Sequence, residues 1–426
     1  MLDKKNSNFQ KWFKLIVLIL GGGTIYKLAF LKDAFYVPMQ QYMHLTNAQI
    51  GNALSINGTI SSFGFIASIY LADRFSKKIL LPLGLIGTGC IGLYLSTFPG
   101  YYGILMVWAA LSIFNDMIYW PVLLKSVRLL GDESEQGRMF GFLEAGRGVI
   151  DTVVAFSALG IFALLGKGAA GLRGAILFYS ITVIVVGIVS YFLLEHDKIV
   201  VKDKSENVSG NKVAFQNMIK ALKMPQIWLV AFTIFSVYSV YCGLTYFIPF
   251  LKDIYGLPVT LVGAYGIINQ YGLKMIGGPI GGYLADKKCK SASKYLRASF
   301  IVVIVAMIII IMMPHQSMSV YAGMAMTLGF GAIIFAMRAV FFAPMEEIGV
   351  PREMTGAAMS LGSFVGYAPS MFCYSIYGNI LDKTPGLDGY KHVFMLMAAF
   401  AIIGFIISSI LVNIVNKRKQ AEKQVA

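Results

Sequence analysis

The chain has 426 residues, of which 57% are hydrophobic and 13% charged, with 36 Lys and Arg against 21 Asp and Glu and a formal net charge of +15. Ordinary soluble domains carry roughly twice that share of charge, so the composition excludes a water-soluble globular fold and indicates a membrane protein. Cys90, Cys242, Cys289 and Cys373 have no paired spacing, which argues against a disulfide framework or a zinc site.

Apolar runs of about 20 residues read as bilayer-crossing helices. In chain order, twelve are predicted near residues 13–37, 48–71, 79–98, 102–125, 139–165, 174–194, 226–251, 259–285, 298–314, 319–343, 355–381 and 392–415. Period-2 alternation is missing, so helices rather than a closed barrel must satisfy the backbone in lipid. The first run is too long for a signal-peptide core and lacks a small-residue cleavage pattern, so it is expected to remain. The expected fold class is an all-α membrane protein with twelve transmembrane helices in two pseudo-symmetric six-helix bundles. Residues 1–196 form the first bundle and 225–426 the second. Between them, 197–224 make a polar linker in which Phe215, Met218, Ile219 and Leu222 recur at helical spacing among lysines, as in a surface-lying amphipathic helix or a solvated connection.

If the N-terminus is cytosolic, 26 of the 36 cations fall on the cytosolic side, six on the other and four within spans. This is the positive-inside asymmetry, so both termini are expected in the cytosol of a cytoplasmic (inner) membrane protein. The asymmetry also accounts for the net charge without nucleic-acid binding.

Leu71-Ala72-Asp73-Arg74, after the second span, returns as Leu284-Ala285-Asp286-Lys287 after the eighth, 213 residues later and so half the chain length away. Tyr precedes both copies and further lysines follow both. Charges inside spans are also unevenly placed: Lys27 in the first, Asp116 in the fourth, Glu144, Arg147 and Asp151 in the fifth, Lys274 in the eighth and Arg338 in the tenth. The third, sixth, ninth and twelfth carry none. Because charge in a bilayer is costly unless it faces a partner or a wet cavity, this pattern divides the helices into cavity liners and outer supports.

The doubled six-span unit, the helix sorting and the loop motif together resemble the major facilitator superfamily of secondary transporters. Its loop after the second helix reads Gly-x-Leu-x-Asp-x-x-Gly followed by two cations. The first copy here, Ile69 to Lys78, keeps Leu71, Asp73 and the closing Lys77 and Lys78, but has Ile69 and Ser76 in place of the glycines. The second, Gly282 to Lys290, keeps its first glycine. The resemblance implies alternating access, with Asp73, Arg74, Asp286 and Lys287 as gating residues of a cytosolic latch. Topology determination alone is the competing account of that loop.

Tyr26, Pro38, Gln49-Ile50-Gly51, Leu54-Ser55, Phe63-Gly64, Gly243 and Pro249 look like the organophosphate and anion exchangers of that superfamily. The arginines with which those exchangers hold phosphate would fall at Phe30 and Tyr241, where this chain has no cation. A sugar-like or organic-acid solute is therefore expected in place of a phosphate ester. The fifth span lacks the Gly-Pro pattern of drug antiporters, and the fourth lacks the arginine common in proton-coupled members.

Glu144, Arg147 and Asp151 lie at i, i+3 and i+7, on one helix face. They read either as an internally paired ladder or as a substrate contact, Arg147, flanked by carboxylates able to exchange a proton. Asn115 and Asp116, six and five residues before Pro121 near the middle of the fourth span, read as a satisfied polar contact or as a substrate and proton site. Lys27, after Gly21-Gly22-Gly23, has the same two readings, while Lys32 and Asp33 are expected on the surface near the external mouth.

The eighth span offers Asn269, Gln270 and Lys274, and the seventh offers Tyr241 and Thr245 on a stripe with Tyr238 that reads as packing or as a sugar platform. Arg338 reads as a gate, a substrate contact or a snorkelling surface residue. Gly277, Gly278, Gly281 and Gly282 read as sites of close helix approach.

The sequence thus predicts a secondary active transporter for a small polar, anionic or sugar-like solute, coupled to protons or to exchange. Its substrate contacts would be Lys27, Asn115, Arg147, Tyr241, Thr245, Asn269, Gln270 and Lys274, with Asp116, Glu144 and Asp151 coupling protons. The alternative is a non-transporting sensor built on a transporter fold. Enzyme chemistry finds no nucleophile elbow and no phosphate loop of the right spacing, so no enzyme activity, cofactor or metal is expected. Expected partners are the solute, membrane lipid and protons, with the chain a monomer.

Overall fold

The structure, a computed structural model, describes residues 2–74, 76–130, 136–194, 216–351 and 354–425; the side chains of residues 2–10, 65–74, 136–138 and 422–425 lie outside that description. Among the described residues the chain is helical, with no strand. Eight stretches, including Tyr101–Arg128 and Pro225–Tyr255, are long and apolar enough to cross a membrane. The first, second, eighth and eleventh spans complete the predicted twelve: Leu2–Thr24 with Lys32–Tyr42, Asn47–Arg74, Val259–Ile267 with Leu273–Tyr283, and Thr355–Tyr367 with Cys373–Lys383. Serine caps begin three others: Ser76, Ser291 and Ser319 accept hydrogen bonds from the backbone N–H groups of Lys78, Lys294 and Ala322.

Contacts divide the chain into two compact units, Met1–Ile199 with Pro258–Gly272, and Val200–Leu257 with Leu273–Ala426. Within the first unit the third span packs on the sixth, the first on the fifth and sixth, and the second on the fourth. Within the second, the ninth packs on the twelfth, the seventh on the eleventh and twelfth, and Leu273–Tyr283 of the eighth on the tenth. Adding six to each span in the first set gives the second, so the repeat of Leu-Ala-Asp in sequence is also a repeat of packing. Gly277 illustrates how close the eighth and tenth spans come, since a Cβ there would lie 2.8 Å from the Phe335 backbone carbonyl carbon.

Five spans depart from regular α-helix near their middles. The first breaks at residues 25–31, after Gly21-Gly22-Gly23-Thr24. The fourth widens to a π-helix at Ile113–Tyr119, where Trp120 donates its N–H to Asn115 O. Pro121, next in the chain, has no N–H for the usual partner, which favours this wider turn. The seventh tightens to a 3-10 turn at Leu244–Tyr246, four residues ahead of Pro249 and its missing donor. The eighth has a π-turn at Ile268–Gly272 and the eleventh a 3-10 turn at Ala368–Met371.

In the linker, residues 216–222 are helical with Ile219 and Leu222 exposed, while Lys212 to Phe215 lie outside the described residues.

Candidate solute site

The break in the first span determines the polar interior of the first unit. Residues 25–31 leave helical carbonyls unpaired, and side chains from neighbouring spans take them up, as buried backbone groups require. Trp108 Nε1 donates to Ala29 O at 3.0 Å, and Arg147 Nε donates to Gly22 O at 3.1 Å. Gly23 lets the fifth span come this near, because a Cβ there would lie 2.7 Å from Ile150 Cβ.

Lys27 lies in that break and is 2% exposed. Its Nζ is 2.7 Å from Asp151 Oδ1, donates to Asp151 O at 3.2 Å, and lies 3.5 Å from the centre of the Tyr271 ring. Tyr271 Oη donates to Asp33 Oδ2 at 3.2 Å, and Asp33 Oδ1 is 2.5 Å from Lys32 Nζ. Asp151, Lys27, Tyr271, Asp33 and Lys32 thus form one continuous file of polar groups. The expectation that Lys32 and Asp33 lie on the surface is wrong: they are 2% and 3% exposed. Burial is tolerable because each charge has an opposite partner and the carboxylate has a further donor in Tyr271.

The fifth-span charges do not close into the ladder their spacing allows. Arg147 Nη1 meets Glu144 Oε1 at 2.7 Å, but Asp151 turns to Lys27 of another span. The Arg147 guanidinium lies 4.5 Å from the Trp120 ring centre, a cation–π contact. Glu144 is about half exposed, at 52% of its side chain.

Asp116, on the π-turn of the fourth span, has a different environment. Ser61 Oγ donates to its carboxylate, and Ser112 Oγ donates at 3.3 Å. No lysine or arginine pairs with it among the described residues. Beside it, Asn115 Oδ1 accepts from Thr88 Oγ1 at 2.6 Å, and the Tyr26 hydroxyl donates to Asn115 O at 3.4 Å. Asn115 Nδ2 is buried without an acceptor. On the π-turn of the eighth span, Asn269 is fully buried with neither amide atom hydrogen-bonded, and Gln270 is buried beside it. The unsatisfied amide atoms of Asn115 and Asn269 are costly to bury, and a ligand that donates and accepts hydrogen bonds there would remove that cost.

The remaining sequence-predicted residues lie in the second unit or outside the description. Thr245 is buried in the 3-10 turn of the seventh span, Tyr241 packs against Arg338 of the tenth, and Lys274 is exposed. Asp286 and Lys287 are exposed on a π-turn, Leu284–Cys289, that ends the eighth span. The side chains of Asp73 and Arg74 lie outside the described residues.

Sequence reading missed Ser61, Ser112, Thr88, Trp108, Trp120 and Tyr271. Each is an uncharged residue inside an apolar run, and only the fold brings it to the break in the first span or to the π-turn of the fourth. Proline was the one usable signal, since Pro121 marks the π-turn that carries Asn115 and Asp116.

Twelve spans, packed in two sets of six by one repeated scheme, with paired buried charges at the broken helix of the first set, define a multi-pass membrane transporter. The chain matches the Major Facilitator Superfamily over residues 19–374 and belongs to that family. It is 56% identical over 424 residues to the inner membrane protein YihN of Escherichia coli strain K12, covering 99% of this chain and 98% of the relative. It is 26% identical over 407 residues to the inner membrane protein YqcE of the same strain, covering 94% of both chains. Among solved structures, a bacterial homolog of the human lysosomal transporter Spinster superposes with a TM-score of 0.76 at 14% identity, over 96% of this chain and 98% of that one. The nucleoside transporter NupG superposes with a TM-score of 0.71 at 14% identity, over 94% and 99%. At that identity these two structures share the fold, and their solutes are their own.

Proposed function

We propose that this protein is a secondary transporter that moves a small polar, anionic or sugar-like solute across the cytoplasmic membrane by alternating access, with proton or exchange coupling. Residues 1–196 and 225–426 are the two moving halves, joined by the linker 197–224, and both termini face the cytosol. The names of the two Escherichia coli relatives support the inner membrane as its location.

The observation that carries this reading is the buried file from Asp151 through Lys27 to Asp33 and Lys32, set at a broken helix. Discontinuous helices at mid-membrane expose backbone and side-chain groups to a solute without exposing them to lipid. Lys27, Asn115, Arg147, Asn269 and Gln270 supply donors and acceptors for hydroxyls.

Of the three carboxylates expected to couple protons, Asp151 and Glu144 are held by cations. Asp116 is held by hydroxyls, which stay in place whether or not it carries a proton. We assign it the coupling role.

The test is reconstitution of the full chain in proteoliposomes with a panel of labelled sugar acids, sugar phosphates, nucleosides and carboxylates. Saturable flux of a panel member supports the reading. A member that raises the melting temperature of the folded chain but shows no flux overturns it in favour of a sensor.

A further inference from the structure

In the second unit, Arg338 of the tenth span has an environment unlike that of Lys27 or Arg147. Its guanidinium carbon lies 3.7 Å from the Tyr241 ring centre, 5.3 Å from that of Tyr238 and 5.6 Å from that of Phe335. Tyr238 is packed in turn against Tyr241 at 5.2 Å and Tyr367 at 4.9 Å, with Tyr241 against Phe335 at 5.7 Å. Among the described residues no carboxylate meets Arg338, and its Nε is buried with no acceptor. Neither Tyr238 nor Tyr367 donates its hydroxyl to an acceptor among them.

The Arg338 Nε–H and the hydroxyls of Tyr238 and Tyr367 are thus donors without an acceptor among the described residues, beside a planar cation on aromatic faces. Ring faces attract the cation but give its buried Nε–H no acceptor, and no carboxylate among the described residues balances its charge. The other paired charges in the spans are already balanced, Lys27 by Asp151 and Arg147 by Glu144.

We propose that Arg338, with the rings and hydroxyls of Tyr238, Tyr241 and Tyr367, binds the oxyanion group of the transported solute, and that this group carries a single negative charge. This assigns Arg338 to substrate rather than to gating, and it deepens the transport reading on which it rests. One guanidinium balances one charge. A carboxylate is therefore accepted, while a phosphate ester dianion leaves one charge uncompensated in a low-dielectric site. The cation absent at position 241 of the seventh span is supplied from the tenth, and it packs on the ring that stands there. The apolar skeleton of the solute has the tyrosine faces to stack on.

The test uses the full-length wild-type chain in detergent, so no variant has to fold. Phenylglyoxal labels accessible arginines, and labelling of Arg338 is read by peptide mass spectrometry at mildly alkaline pH and matched ionic strength. Three probes share one ring: benzoate, its neutral analogue benzyl alcohol, and phenyl phosphate. Benzoate at ten times its dissociation constant is expected to slow labelling of Arg338 roughly tenfold, by simple occupancy. Benzyl alcohol and phenyl phosphate are expected to protect far less.

An Arg338 that does not react in the free protein overturns the proposal, as does equal protection by all three probes or stronger protection by phenyl phosphate. The readout needs no flux. Failure here with intact flux in proteoliposomes therefore removes the anion assignment and leaves the transport reading, while absence of flux with benzoate protection does the reverse.

Discussion

The ammonium of Lys27 lies 2.7 Å from the carboxylate of Asp151, joining the break in the first span to the middle of the fifth. Both side chains are under a tenth exposed. Removing one member of such a pair strands the other as a buried charge, which costs about 3–5 kcal/mol. Lys27→Met and Asp151→Leu should each destabilise the chain by that much in detergent unfolding measurements. The double variant should be less destabilised than either single one, because no charge is left alone. Simple additivity of the two losses would show that the residues do not depend on each other.

Glu347, in the connection after the tenth span, holds the start of the ninth. Its carboxylate accepts from the Ala292 N–H at 2.7 Å, the Ser293 N–H at 3.0 Å and the Ser293 hydroxyl at 2.5 Å. An anion at a helix N-terminus meets both unsatisfied donors and the positive end of the dipole. Glu347→Ala should cost about 1.5–3 kcal/mol, as expected for hydrogen bonds to a charged group. Thermal unfolding should show this, and Glu347→Gln should recover part of it. An unchanged melting temperature in Glu347→Ala would mean that water caps the helix equally well.

His315, between the ninth and tenth spans, is 2% exposed, with Nδ1 2.7 Å from the Tyr255 hydroxyl and Nε2 2.7 Å from Ile310 O. A neutral ring with its proton on Nε2 satisfies both partners. Burial pushes the imidazole below its ordinary value, the Ile310 carbonyl pulls it part of the way back, and Lys391 adds to the depression. The folded state therefore binds this proton less readily than the unfolded chain. Stability from this group is present above the unfolded value of about 6.5 and is lost as pH falls from there toward the lower folded value. Between about pH 7 and 5 the wild-type melting temperature should fall more than that of His315→Gln. Parallel curves would show that His315 does not contribute.

The fold was legible in the sequence because lipid leaves the backbone only helices or closed barrels, and without period-2 alternation each long apolar run is a helix wherever it packs. The repeat was legible for a similar reason, since Leu71-Ala72-Asp73 and Leu284-Ala285-Asp286 mark equivalent ends of equivalent spans. The site was only partly legible. Lys27, Arg147 and Asp151 stand out because charge is rare in a span, but their pairing is a tertiary fact. Asp151 lies four residues from Arg147, yet it meets Lys27, which is 124 residues away in the chain.

Lys32 and Asp33 read as surface residues because adjacent opposite charges at the end of a run usually are. Only Tyr271, 238 residues from Asp33, reveals their burial. Glu347 gave no signal, because a carboxylate in a short connection looks like any solvated loop charge.

The central claim is that Asp116 couples solute movement to protons. Asp116→Asn keeps an acceptor for Ser61 and Ser112, so the fold should stand, but the side chain can no longer gain or lose a proton. The decisive measurement uses proteoliposomes and a solute that the wild-type chain exchanges. Counterflow and accumulation driven by a pH gradient are followed side by side for the wild type and Asp116→Asn. The account predicts that the variant retains counterflow and loses accumulation. Accumulation against a solute gradient by Asp116→Asn, at the wild-type level and still dependent on the pH gradient, would contradict it.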